Sequence, residues 1–181
     1  MIIPIIAVTT CAVAAWTDLR RGEIPNWLTF GAFLAGVGVS VALAAPSLDP
    51  VAVGRALLGA VGGGLACAVL PLVMWRAGVM GGGDVKLFIA LGALCHAATG
   101  LDILVTSFVA GSIVAPFQLA VRGQLFVTGK RIVLRIVNAF LPASMRAELP
   151  PAEAIWFRFG PAILLATIWV VATTHRPWWA S

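Results

Sequence analysis

Residues 51–75 read VAVGRALLGAVGGGLACAVLPLVMW, one continuous apolar run with a single charged side chain, Arg55. A helix needs about 20 such residues to cross a hydrocarbon core of roughly 30 Å. Continuous rather than alternating hydrophobicity selects helices over a transmembrane barrel. The pattern repeats on both sides of this run. Apolar stretches cover about 2–16, 27–45, 51–75, 85–98, 101–121 and 155–174. The fold class that follows is all-α: a polytopic integral membrane bundle of about six helices. The composition of the 181 residues agrees, with 61% hydrophobic, 10% charged and a mean hydropathy of +1.02. A soluble chain carries about a quarter charged residues, so lipid is the solvent for most of this surface. No break in composition divides the chain, and residues 1–181 read as one transmembrane domain. The fourth stretch is short, which predicts that it starts deep at one interface.

The net charge of +5 does not indicate nucleic acid, because the basic residues are scattered over short connectors without stacking aromatics. They report orientation instead. Counting through six spans from an outside amino terminus puts Arg20, Arg21, Arg76, Lys86, Arg122, Lys130, Arg131, Arg135, Arg146 and Arg158 on the inner side. Only Arg55 and Arg176 fall outside. The first stretch lacks the basic n-region of a signal peptide, and its arginines follow the apolar run. Cys11, Cys67 and Cys95 lie within apolar stretches at no metal-type spacing, so they read as small buried residues. Neither a metal nor a cofactor is expected.

Small residues at helix-packing intervals, Gly59 with Gly63 and Gly31 with Ala35, predict close backbone approach between spans. Ser47-Leu48-Asp49-Pro50 and Thr99-Gly100 read as tight outer turns. The segment 122–153 is different. Lys130, Arg131, Arg135 and Asn138 share one helical face, and Ile132, Val133, Ile136, Val137, Phe140 and Leu141 the other. This predicts an amphipathic helix lying on the cytoplasmic surface against anionic headgroups, ended by Pro142, Pro150 and Pro151.

Two inner loops carry chemistry. The first reads Thr17-Asp18-Leu19-Arg20-Arg21-Gly22-Glu23-Ile24-Pro25-Asn26, the second Met80-Gly81-Gly82-Gly83-Asp84-Val85-Lys86-Leu87. Each sets an aspartate at a membrane boundary, where an ionisable group is costly to desolvate and marks a functional site. Two adjacent carboxyls do not both ionise readily and share a proton. One then serves as base toward a water while the other protonates a peptide carbonyl. Gly81, Gly82 and Gly83 are expected to supply positive φ and room for an extended substrate. Pro25 rigidifies the start of the second span, and Asn26 is a candidate helix cap. Lys86 reads best as an anchor in the headgroups, or else as a charge beside Asp84. Singly, each aspartate has a plain structural reading: Asp18 paired with Arg20 or Arg21, and Asp84 paired with Lys86 or capping the fourth helix.

Together, the pattern of Asp18 followed by Ile24, Pro25 and Asn26, then Gly81, Gly83, Asp84, Lys86 and Leu87, resembles the type IV prepilin peptidases, GxGD-type membrane aspartic proteases. The resemblance implies an aspartic endopeptidase in a prokaryotic cytoplasmic (inner) membrane, with Asp18 and Asp84 as the dyad facing the cytoplasm. Its substrates would be prepilins or pseudopilins, cut at the cytoplasmic border before their apolar segment. Glu23 would help dock a basic leader. Larger members carry a cysteine-rich, zinc-binding insertion between the first two spans and methylate the new amino terminus. Here no such insertion follows Asp18, so the resemblance is to the short, peptidase-only branch that serves Flp-type tight-adherence pili. Two other classes fit the composition: a small proton-coupled transporter, and a non-catalytic subunit of a pilus or secretion machine. A transporter would place its carboxylates nearer the midplane.

Overall fold

The structure is a computed structural model, which describes residues 2–121 and 158–173 together with 123, 126, 127, 129, 130, 133, 134 and 138. The elements are α1 (Ile2–Arg21), α2 (Asn26–Ala44), a 3-10 turn (Ala45–Ser47), α3 (Pro50–Arg76), α4 (Gly82–Val121) and α5 (Gly160–Thr173). No strand occurs among the described residues. Helices α1, α2, α3 and α4 are long and apolar enough to cross a membrane, and α5 is a shorter apolar helix. The chain is an all-α integral membrane protein. It divides into two compact units, Met1–Gly111 with Arg158–Ser181, and Ser112–Phe157.

Within the first unit, α4 is not one straight rod. His96 sits at φ 61, ψ 175, outside helical geometry. Residues 92 and 100 would lie about 12 Å apart along a straight helix. Instead, a Cβ on Gly100 would stand 2.9 Å from the Gly92 Cα. Phe88 and Phe108, roughly 30 Å apart in a straight helix, stack with ring centroids 6.3 Å apart. Within this unit the chain therefore reverses at His96 into two antiparallel arms, 82–95 and 97–111. The reversal comes earlier than expected: Thr99 and Gly100 are buried and helical rather than a turn. A hydrogen bond of 3.1 Å between the Ser40 hydroxyl and the His96 Nε2 holds the corner.

The first arm is the centre of the unit. Val85, Leu87, Phe88, Ala90, Leu91, Gly92, Ala93, Leu94 and Cys95 are all buried, as befits a helix apolar around its whole circumference. Small residues let its neighbours reach it. A Cβ on Gly63 of α3 would lie 2.3 Å from the Gly92 carbonyl oxygen, and one on Gly36 of α2 would lie 2.7 Å from the Leu94 nitrogen. The Gly63 expectation holds. Gly31 does not pack: it is exposed with nothing near it, and Ala32 and Gly36 form the buried face of α2 instead.

The turn between α2 and α3 is as expected. Leu48 takes a left-handed conformation, and the Asp49 carboxylate accepts from the Val51 N–H at 2.9 Å, capping a helix with Pro50 in its first turn. All three cysteines are buried thiols.

In the second unit the helix runs on past Pro116 to Val121, followed by Gly123 at φ +66. The expected amphipathic segment, 122–153, lies mostly outside the described residues. The described positions from Phe126 to Asn138 are helical. The sixth apolar stretch, expected from about 155, begins its helix only at Gly160, leaving Arg158 and Phe159 ahead of it.

Candidate active site

Asp18 ends a stripe. The buried residues of α1 are Ile3, Ala7, Thr10, Cys11, Ala14, Ala15 and Asp18, a three-and-four spacing that keeps one face inward. The apolar stretch ends near Trp16, but the helix continues to Arg21, and so presents Asp18 to the interior. That face packs on α5, where Thr167 meets the Cys11 sulfur at 3.3 Å. Asp18 is only 7% exposed. Its Oδ2 accepts the Gly160 N–H at 2.9 Å, one of the free donors at the start of a helix. A Cβ on Gly160 would lie 2.9 Å from that same oxygen and 3.1 Å from the Ala15 Cα, so only glycine permits this approach.

Arg158, two residues earlier, donates from one guanidinium nitrogen, Nη1, to the backbone carbonyls of Asp18 and Leu19 in the last turn of α1; the Asp18 carbonyl also accepts the Gly22 N–H at 2.9 Å. It is also the cation that acts electrostatically on the Asp18 carboxylate. Arg20 stacks on Trp16 at 4.2 Å from the ring centroid. The described contacts thus give Asp18 partners on α5 and just before it, where pairing with Arg20 or Arg21 was the plain expectation.

Asp84 lies in the first turn of α4 and is 9% exposed. The Gly81 backbone donates to its carboxylate, the arrangement by which an acidic residue in a first turn satisfies the amide ahead of the helix. Asp18 is near enough for its charge to act on Asp84, although 66 positions separate them in sequence. None of Gly81, Gly82 and Gly83 takes positive φ. Their value here is the missing side chain. A Cβ on Gly81 would come 3.2 Å from the Asp84 Oδ2, and one on Gly83 would come 3.2 Å from the Ile24 Cβ.

The two loops are joined in two further places. Gly83 rests against buried Ile24. The Lys86 Nζ donates to the Asn26 Oδ1 at 2.8 Å. Lys86 was expected to anchor in headgroups and Asn26 to cap α2. Instead, Pro25 is the residue before α2, no side chain caps that helix, and the Asn26 amide oxygen is turned to Lys86. Pro25 holds φ −63, ψ 137 and sets the chain's turn into α2. Glu23 is exposed at the loop surface.

Sequence reasoning missed Arg158, Phe159 and Gly160. A signal was present: an arginine inside an otherwise apolar stretch, followed after Phe159 by Gly160-Pro161, which favours a helix start. Phe159 is 7% exposed and completes a ring cluster, 6.2 Å from Phe88 and 5.5 Å from Phe108 by centroids. This buried ring between the two arms of α4 fixes where α5 begins, and so where Arg158 and Gly160 meet Asp18. A separate cavity of about 610 Å³ lies at the His96 corner, lined by Ser40, Arg55, Gly59 and His96 among others. Neither aspartate lines it.

A stretch of 90 residues is 36% identical to the prepilin peptidase EppA of Methanothermobacter thermautotrophicus, covering 49% of this chain and 22% of that protein's length. No solved structure matches the chain. Residues 5–116, which include both aspartate loops, match the model of the type IV leader peptidase family. More than half of the chain lies within that match, and the chain belongs to this family.

Proposed function

We propose that this chain is a leader peptidase: an aspartic endopeptidase that removes the basic leader of a type IV prepilin or pseudopilin. Asp18 and Asp84 are its catalytic pair, without a metal or cofactor and without the methyltransferase step. The observation that carries this reading is that two buried carboxyls from separate helices, α1 and α4, lie within electrostatic reach of each other. Membership of the leader peptidase family supports the same chemistry. Gly81, Gly83, Ile24, Pro25, Asn26 and Lys86 support the pair by joining the loops, and Glu23 is the surface acid available to a basic leader.

The topology belongs to the same proposal. The two arms of α4 and the short α5 bring the passes to six, with the amino terminus outside and the aspartates facing the cytoplasm. An arm of residues 82–95 is roughly 20 Å long, less than the hydrocarbon thickness. Asp84 at its start therefore sits below the membrane border, where an extended substrate entering a membrane helix would meet it.

The chemistry needs one ionised and one protonated carboxyl. A water oxygen attacks the scissile carbonyl carbon while the carboxylate takes the water's proton and the carboxylic acid protonates the carbonyl oxygen. The gem-diol collapses as the C–N bond breaks. The nitrogen leaves with the proton held by the first carboxyl, and a gem-diol hydroxyl returns its proton to the second.

The test is leader cleavage of a co-expressed prepilin. Asp18→Asn and Asp84→Asn should each abolish processing, with membrane levels of the protein near wild type. Processing by Asp84→Asn at the wild-type rate would overturn the enzyme reading in favour of an assembly role. A chelator should leave the rate unchanged, and zinc-reversible inhibition would remove the metal-free part of the proposal.

A further inference from the structure

The two carboxyls sit in unequal surroundings. Asp84 receives one backbone amide, that of Gly81, and faces the Asp18 charge. Asp18 receives the Gly160 amide at the amino-terminal end of α5 and lies beside the Arg158 guanidinium. A helix amino terminus carries partial positive charge, and a guanidinium cannot give up its proton, so both favour an anion at Asp18. Among the described residues, the charged groups acting on or facing Asp18 are Arg158, from the chain ahead of α5, and Asp84, from α4.

Resting on the leader-peptidase reading above, we propose that Arg158 is a positioning residue that, with the Gly160 amide, keeps Asp18 the ionised member of the pair. Asp18 is then the base toward water and Asp84 the acid toward the scissile carbonyl. Arg158 does two things at once. Its charge acts on the Asp18 carboxylate, and a single guanidinium nitrogen, Nη1, donates to the carbonyls of both Asp18 and Leu19 in the last turn of α1. This double contact holds the last turn of α1, and a frayed turn would swing the carboxylate off the Gly160 amide. Lysine keeps the charge, but its Nζ ends one bond short of the place of Nη1 and cannot reach both carbonyls from the same backbone position. Phe159, buried between the arms of α4, fixes where Arg158 is presented.

The experiment measures kcat, KM and the pH profile of purified enzyme on a synthetic prepilin peptide, for wild type, Arg158→Gln and Arg158→Lys. Thermal unfolding of each variant confirms its fold. For Arg158→Gln the expected result is a kcat lowered about 10- to 100-fold and a KM within about twofold. The acid limb of kcat should move up by roughly one pH unit or more, because a neighbouring opposite charge lowers a carboxyl's pKa by at least about that much. Removing the cation makes the base harder to ionise, so activity is lost at a higher pH as the solution is acidified. Arg158→Lys should restore the acid limb to its wild-type position while kcat stays roughly tenfold low.

An unmoved acid limb in a folded Arg158→Gln, or a loss confined to KM, overturns the assignment. If Arg158→Gln does not fold, Arg158→Lys decides alone: wild-type kcat there overturns the positioning role of the Nη1 contact. Absence of cleavage by the wild-type enzyme would instead count against the leader-peptidase reading itself.

Discussion

At the scale of single residues, the loops are joined by atoms that carry no charge of opposite sign. Lys86 reaches the Asn26 amide oxygen rather than a carboxylate. Both residues are exposed, so the bond stabilises less than a buried charge-assisted one, about 0.5–1 kcal/mol. A double-mutant cycle with Lys86→Met and Asn26→Ala should recover a coupling of that size in thermal unfolding. Strict additivity would show that the two side chains do not interact in the membrane.

The glycines before Asp84 differ in a way that composition hides. A Cβ at position 83 meets the Ile24 Cβ at 3.2 Å, whereas one at position 82 meets Trp75 at an ordinary 3.4 Å. Gly83→Val should therefore push the first loop off the second and cut leader cleavage at least tenfold, while Gly82→Ala leaves it within about twofold. Equal effects of the two changes would mean that Gly83 does not set the spacing. The motif residues were legible from their types and order. Their partners were not, because the spacing between loops depends on how three helices pack.

At the scale of elements, close approach decides the architecture. Helix α3 crosses the first arm of α4 at Gly63 and Gly92, with no room between the backbones. Gly63→Leu should destabilise the bundle by about 3 kcal/mol, or prevent its accumulation. Gly62→Leu, at a position where a Cβ meets nothing within 4 Å, should be tolerated. Thermal unfolding in detergent separates the two, and equal stability would contradict the crossing.

The small-residue pattern located Gly63 but also pointed to Gly31, which faces outward. Helix periodicity alone does not say which of several small-residue stripes meets a neighbour. The reversal of α4 was displaced for a related reason. Thr99-Gly100 has the composition of a turn, but the chain turns at His96, where the Ser40 bond and packing against α3 override local propensity.

At the scale of the whole molecule, orientation is the property left to test. The loop before α2 and the turn after it are separated by a helix about 28 Å long. The three native thiols are buried, so they should stay silent toward a membrane-impermeant maleimide. In intact cells Ser47→Cys, at an exposed position, should be labelled from outside, and Glu23→Cys only after the inner face is opened. The reverse pattern would turn the aspartates away from the cytoplasm and leave a cytoplasm-facing peptidase untenable.

The sequence by itself determined the solvent, the helical class and the two loops that bear the aspartates. Apolar run length and charge placement are local properties, readable without contacts. Only the tertiary structure decided what surrounds those aspartates. Asp18 takes its amide and its guanidinium from residues about 140 positions away, and Phe159 holds that distant segment in place. Such pairings depend on helix crossing and on the absence of side chains at Gly160, Gly83 and Gly63. A linear pattern records the small residues but not what they allow to approach.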